Sequence, residues 1–166
     1  MSFIEDNFVQ GATSASNYFR PEKGEPNKVR ILSQAPVVGL YQWTADGKPI
    51  RWAYDAEKPA HEYEEGSRPR KFLAVVVWNY STESVQVWEV RQVSIINALH
   101  EITRDPDFGH PTNYDLKVTK QGEKLDTTYQ LFPIPSPLTP ELQQLMESHG
   151  VLLEALLHGE NPFGHE

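Results

Sequence analysis

The stretch that decides the fold is KFLAVVVWNYSTESVQVWEVRQ, residues 71 to 92. It reads as two β-strands around the polar turn Ser81 to Ser84, with Tyr80 opposite Val85. Alternation then sorts the side chains. Leu73, Val75, Val77, Trp88 and Val90 share one face, uncharged apart from Lys71 at its end, so that face points into a core. Phe72, Ala74, Val76, Trp78, Tyr80, Val85, Val87, Glu89 and Arg91 share the other. Rings and charges mix there, so it is expected to meet solvent at least in part.

Working outward, NKVRIL (Asn27 to Leu32) alternates Val29 and Ile31 with Lys28 and Arg30, a strand pattern. APVVGLYQW (Ala35 to Trp43) is β-branched and aromatic, with Gly39 suggesting a bulge or bend. Asp46-Gly47 signals a turn before IRWAY resumes at Ile50. Residues 55 to 70, DAEKPAHEYEEGSRPR, are charged and aperiodic and read as a mobile surface loop. After the hairpin, Ser94 is placed to cap a helix carrying Ile95, Ile96, Leu99 and Ile102, ended by Asp105-Pro106. YDLKVTKQGEKLDTTYQLFPIP reads as a second hairpin around Gly122. Thr139 as N-cap, Pro140 and Glu141 start an amphipathic helix bearing Leu142, Leu145, Met146, Leu152, Leu153, Leu156 and Leu157, interrupted at Gly150. That helix either packs on the body or serves as a partner surface.

The order of elements is that of a mainly β protein, a five-stranded OB-fold-like barrel with a helix between strands three and four. Residues 17–138 form the barrel, 1–16 a flexible arm, and 139–166 an acidic helical segment.

Composition narrows the function. At 166 residues the chain fits one domain. It has no cysteine, which removes disulfides, thiol catalysis and cysteine-ligated zinc and suits a reducing cytoplasm. No apolar run approaches the length of a membrane span. The six histidines show no metal spacing, and no phosphate loop or nucleophile elbow is present, so nothing recommends an enzyme, a metal or a cofactor. Net charge is −8, which by itself keeps a surface solvated. Its distribution matters more: all 15 Lys and Arg lie between Arg20 and Lys124, and the segment 17–138 is close to neutral. A local basic groove is compatible with that total.

Single-strand binders need rings on which bases stack and cations that follow the phosphates. Phe72, Trp78 and Tyr80 fit the first need. Arg91, Lys71, Lys117, Lys28 and Arg30 fit the second, and Arg51, Arg68 and Arg70, near Trp52 and in the loop before the hairpin, could close over a strand. Tyr41, Trp43, Trp52 and Tyr54 flank the Asp46-Gly47 turn and suit either a ligand-gripping lip or cross-strand packing. Burial of the same rings in a core is the competing reading.

NYFRPEKGEPNKVRILSQ, VVVWNYSTESVQVWEV and DPDFGHPTNYDLKVTKQGEKLDTTYQLFP together resemble the small single-stranded DNA-binding proteins of tailed phages, distantly like the helix-destabilising protein of the T-even phages. The resemblance covers about residues 17 to 137. It implies an OB-fold that coats single-stranded DNA in replication, recombination or repair, in the host cytoplasm, with an acidic C-terminal region that recruits replication proteins and competes with DNA. By position it points to Lys28, Arg30, Trp78, Tyr80, Tyr114 and Lys117. The chain departs from the T-even proteins in lacking their Cys/His zinc module and any basic cooperativity motif. A β-barrel interaction module, such as a phage structural or adaptor protein, remains the alternative.

Overall fold

The computed structural model describes residues 17 to 164, so the N-terminal arm expected over 1–16 lies outside the described residues. Seven strands form one antiparallel sheet: β1 (Asn27–Ile31), β2 (Val37–Trp43), β3 (Pro49–Ala53), β4 (Arg70–Asn79), β5 (Ser84–Val90), β6 (Tyr114–Gln121) and β7 (Thr128–Pro135). Helix α1 (Val93–Arg104) separates β5 from β6, and α2 (Pro140–Ser148) follows β7. The order is β3-β2-β4-β1-β6-β7, with β5 on the other edge of β4. The sheet does not close, which corrects the expected five-stranded barrel.

The ten residues of β4 explain this layout. One edge pairs with β5 from Leu73 to Asn79. The other is long enough for two partners end to end, β2 beside 70–74 and β1 beside 77–79. At the break between them the Leu32 N–H donates to the Val76 carbonyl (2.7 Å), and the Ser33 hydroxyl accepts from the Val76 N–H (3.1 Å), so the ladder stays satisfied. Gly39 keeps its regular partners Ala53 and Phe72 rather than forming a bulge; a Cβ there would come within 2.8 Å of the Phe72 ring.

The β4–β5 register is shifted by two from the expected one: Trp78, not Tyr80, faces Val85, and the loop runs from Tyr80 to Glu83, with Glu83 at φ 51°. A shift of two keeps every side chain on its expected face. Val75, Val77, Trp88 and Val90 accordingly join Val29, Ile31, Leu116 and Val118 in one core, closed by Ile95 and Leu99 of α1. Gln92, not Ser94, occupies the N-cap of α1, without a side-chain bond.

The opposite face is buried as well. Phe72, Ala74, Val76, Val87 and Leu32 pack against Leu142 of α2 and Val151, Leu153 and Leu156 around the 3-10 turn Leu153–His158. Thr139 caps α2 as expected, its hydroxyl accepting from the Leu142 N–H (3.1 Å). The helix ends at Ser148, before Gly150 (φ 69°). Leu142, Leu153 and Leu156 therefore point inward, whereas Leu152 is 68% exposed, and Glu141, Glu147, Glu154 and Glu160 stay exposed.

The loop after β3 is tied down rather than free. Ala45 and Glu64 donate backbone N–H groups to Glu62 and Trp43 carbonyls, both at 3.0 Å, and Tyr63 bridges to Thr44. Edges are protected too: Pro133 and Pro135 remove donors from β7, and residues 17–19 bond to β5 through Phe19 N–H to Val87 O (2.8 Å) and Val87 N–H to Asn17 O (2.9 Å). The lead-in then crosses to the far end of β6, where Gly24 N–H meets the Lys120 carbonyl (3.2 Å). Among the described residues no helix is long and apolar enough to cross a membrane.

Candidate nucleic-acid interface

The ring platform expected on β4 is largely covered. Phe72 is 2% exposed, and Trp78 is half-buried against the core cluster that Phe72 forms with the C-terminal leucines. Alternation placed these rings on one face, but it carried no information about the segment that lands there. Tyr80 is half-buried and its hydroxyl donates to Asp115 Oδ1 (2.8 Å).

Arg30 is also unavailable. It is fully buried; its guanidinium donates to Asp115 Oδ1 (2.9 Å) and to the carbonyls of Ser136 and Pro137 (3.3 and 3.0 Å). It fastens the segment after β7 to β1 instead of waiting for a phosphate. Trp52 and Tyr114 are core residues, and the Tyr114 hydroxyl donates to the Gly109 carbonyl (3.1 Å). Arg70 and Lys71 are exposed at the start of β4, with Lys71 Nζ 5.8 Å from the centre of the exposed Tyr54 ring. Lys28 lies 4.6 Å from the centre of the Tyr80 ring and 3.8 Å from Asp115 Oδ2; Lys117 is half-buried beside it on β6.

A cleft does gather cations, though from other parts of the chain. Arg20 comes from the lead-in, Arg51 from β3, Arg91 from the end of β5 and Lys120 from β6, against one carboxylate, Glu89. The cleft has a volume of about 610 Å³, and Tyr18 and Tyr129 contribute half-buried rings to its wall above a base that includes Phe19 and Trp88. Its internal charges are organised. Arg51 grips Glu89 with two bonds, Nε to Oε2 (2.8 Å) and Nη2 to Oε1 (3.1 Å), both side chains mostly buried.

Arg91 meets the same carboxylate only at 3.5 Å. Its guanidinium lies 4.4 Å from the centre of the Tyr41 ring and 5.8 Å from that of Trp43, a ring 38% exposed. Stacking on rings fixes its plane without consuming its donors, which suits it to a phosphate. Burial pushes the Tyr18 phenol above its ordinary range, with Arg51 lowering it, Glu89 raising it and Arg20 lowering it, so the ring sits within the field of this cluster. A concave site with that excess of positive charge, in a chain of net charge −8, concentrates anions locally.

Of the expected residues, Arg51 and Arg91 line the cleft, and Trp43 adjoins it through Arg91. Tyr18, Arg20, Lys120 and Tyr129 were not singled out in the sequence. Arg20 lies in a proline-rich lead-in without period, and Lys120 alternates onto the opposite side of β6 from Lys117. Only the crossing of the lead-in from β5 to β6 brings them together. No family model, curated protein or solved structure matches the chain, so this geometry is what a functional reading has to rest on.

Proposed function

We propose that the protein binds single-stranded DNA without catalysing a reaction, holding phosphates in the Arg20–Arg51–Arg91–Lys120 cleft and bases against the rings beside it. The observation that carries this reading is one cleft lined by four cations and a single carboxylate, two of the cations contacting it, next to Tyr18, Tyr129 and Trp43. Cations that follow a backbone, interleaved with rings that accept any base, are what sequence-tolerant single-strand binding needs. The connectivity is compatible with it: β1, β4, β5, helix, β6 and β7 follow one another as in the expected OB plan, with the β2–β3 hairpin inserted after the first strand, although the sheet does not close into a barrel. The resemblance to phage single-stranded DNA-binding proteins adds the setting, namely replication, recombination or repair in a host cytoplasm. The outward glutamates of the C-terminal segment then offer an acidic surface to partner proteins.

Tryptophan fluorescence titration with oligothymidine at several salt concentrations tests this. Binding should weaken steeply as salt rises because phosphate contacts release counterions. Replacing Arg20 and Arg91 together with Gln should reduce the slope of log affinity against log salt by about 1.4, from roughly 0.7 per single-strand contact. Unchanged affinity and slope in the double variant would remove the cleft from the reading.

A second reading has its own observation. An apolar groove of about 520 Å³ runs between α1 and β4, with Leu73, Val75, Ile96 and Leu99 among its walls, and Val38, paired to Leu73, is exposed. That favours a protein-interaction module, whose binding would depend little on salt.

A further inference from the structure

We propose a second contact strip for the same single strand on the outer side of β1, β6 and β7, formed by Lys28, Lys117 and Phe132. The inference rests on the single-strand reading and extends its footprint beyond the cleft. Pairing aligns the three residues: Lys28 faces Lys117, and Lys117 faces Phe132. They make one row across three strands, about 10 Å from end to end at the usual strand spacing.

Each member breaks a rule of ordinary sheet surfaces. Like charges directly opposite each other are destabilising. Here the only carboxylate on this face of the three strands is Asp115, already bonded to Arg30 (2.9 Å) and Tyr80 (2.8 Å) and lying 3.8 Å from Lys28. Lys117 has no ion pair among the described residues. Phe132 is 48% exposed on an edge strand, on the face opposite Leu131, which packs against the core. Local choices that disagree with the fold concentrate at functional positions.

The chemistry of the row selects the ligand. Two ammonium groups attract phosphates, and an uncovered ring stacks any base. The Tyr80 ring beneath Lys28 adds a second aromatic surface. An acidic peptide would satisfy the lysines but leave Phe132 without a purpose. Lys117 and Lys120 are three residues apart on β6, roughly 10 Å along the strand, on opposite faces. A strand leaving the cleft around the β6–β7 end therefore meets the row.

The test compares Phe132→Ala, Phe132→Trp and Lys117→Glu with wild type, using fluorescence anisotropy on oligothymidines of about 4 and about 16 nucleotides, the range of site sizes for such folds. On the longer strand Phe132→Ala should lose about tenfold in affinity, within the range expected for one stacked base, and Phe132→Trp should restore it. Lys117→Glu should weaken binding and lower the salt slope by about 0.7. In urea it should be at least as stable as wild type, because it replaces a like-charge pair with an opposite one.

If the cleft variants weaken binding while all three strip variants match wild type on the long strand, the strip is overturned and the cleft stands. If the strip variants weaken binding and the cleft variants do not, the strip stands alone. Failure of the wild type to bind either strand overturns both. Lys117→Glu abolishing polyglutamate binding while sparing oligothymidine would make the row a peptide site and overturn the proposal.

Discussion

Arg30 and Arg91 have similar local sequence surroundings and opposite fates. Each is attached to a strand and adjoins rings. Arg30 is sealed, held by a carboxylate 85 residues away and by carbonyls 106 and 107 residues away. Arg91 keeps 31% of its side chain exposed, leans on Tyr41, and meets Glu89 only at 3.5 Å. The first joins chain segments and the second presents a charge. What separates them is the part of the chain that arrives from far away, so the residue type alone does not assign a cation to structure or to ligand.

The same contrast holds for the two ring clusters, and removing the cover is the strongest way to break it. Deleting residues 139–166 uncovers Leu32, Phe72, Val76 and Val87 and removes Leu142, Val151, Leu153 and Leu156. At about 1.5–3 kcal/mol for each fully buried aliphatic side chain, the loss is comparable to the whole stability of a domain of this kind. The truncated protein should lack a cooperative unfolding transition by circular dichroism. A truncated chain that stays folded and binds DNA more tightly would show instead that the segment is a dispensable competitor.

Arg30→Ala is the next largest effect. It leaves Asp115 buried with Tyr80 and the more distant Lys28, and should destabilise by about 3–5 kcal/mol in urea titration. Where folded, it should bind oligothymidine as wild type does. A binding defect without a stability defect would move Arg30 from structure to ligand.

The smallest effect sharpens the comparison through pH. Burial first, then the hydrogen bond and charge of Asp115, push the Tyr80 phenol up to about 12, with Arg30 acting against them. A phenol raised from its unfolded value of about 10 stabilises the fold fully below that pH. The contribution is lost as pH climbs through about 12. Tyr80→Phe should therefore be less stable than wild type at neutral pH, by about 1.5–3 kcal/mol as for a hydrogen bond to a charged group. Its stability should also depend less on pH between about 10 and 12. Parallel curves for the two proteins would place the alkaline loss elsewhere, Tyr114 being the other phenol pushed up to about 12 by burial.

Much of the secondary structure was legible. Alternation in NKVRI, RKFLAVVVWN and YDLKVTKQ gave strands, Asp46-Gly47 and Gly122 gave turns, and Thr139-Pro140 gave a helix start. Less of the site was. Arg51, Arg91 and Trp43 were found by their proximity to strands and rings, whereas Arg20 and Lys120 were not, because the lead-in has no period and its destination on β6 is a long-range fact. Phe132 was not singled out in the sequence either; its exposure on the edge strand is what marks it.

The sequence by itself determined which residues share a strand, which side chains share a face, and where turns and caps fall, because these follow from geometry over a few consecutive residues. Tertiary structure decided that the mixed face of β4 and β5 would be covered, that Arg30 would be buried, and that Arg20, Arg51 and Lys120 would line one cleft with Arg91 and Glu89. Those outcomes depend on contacts between segments tens to more than a hundred residues apart, and local periodicity does not encode which surface a distant leucine face will find.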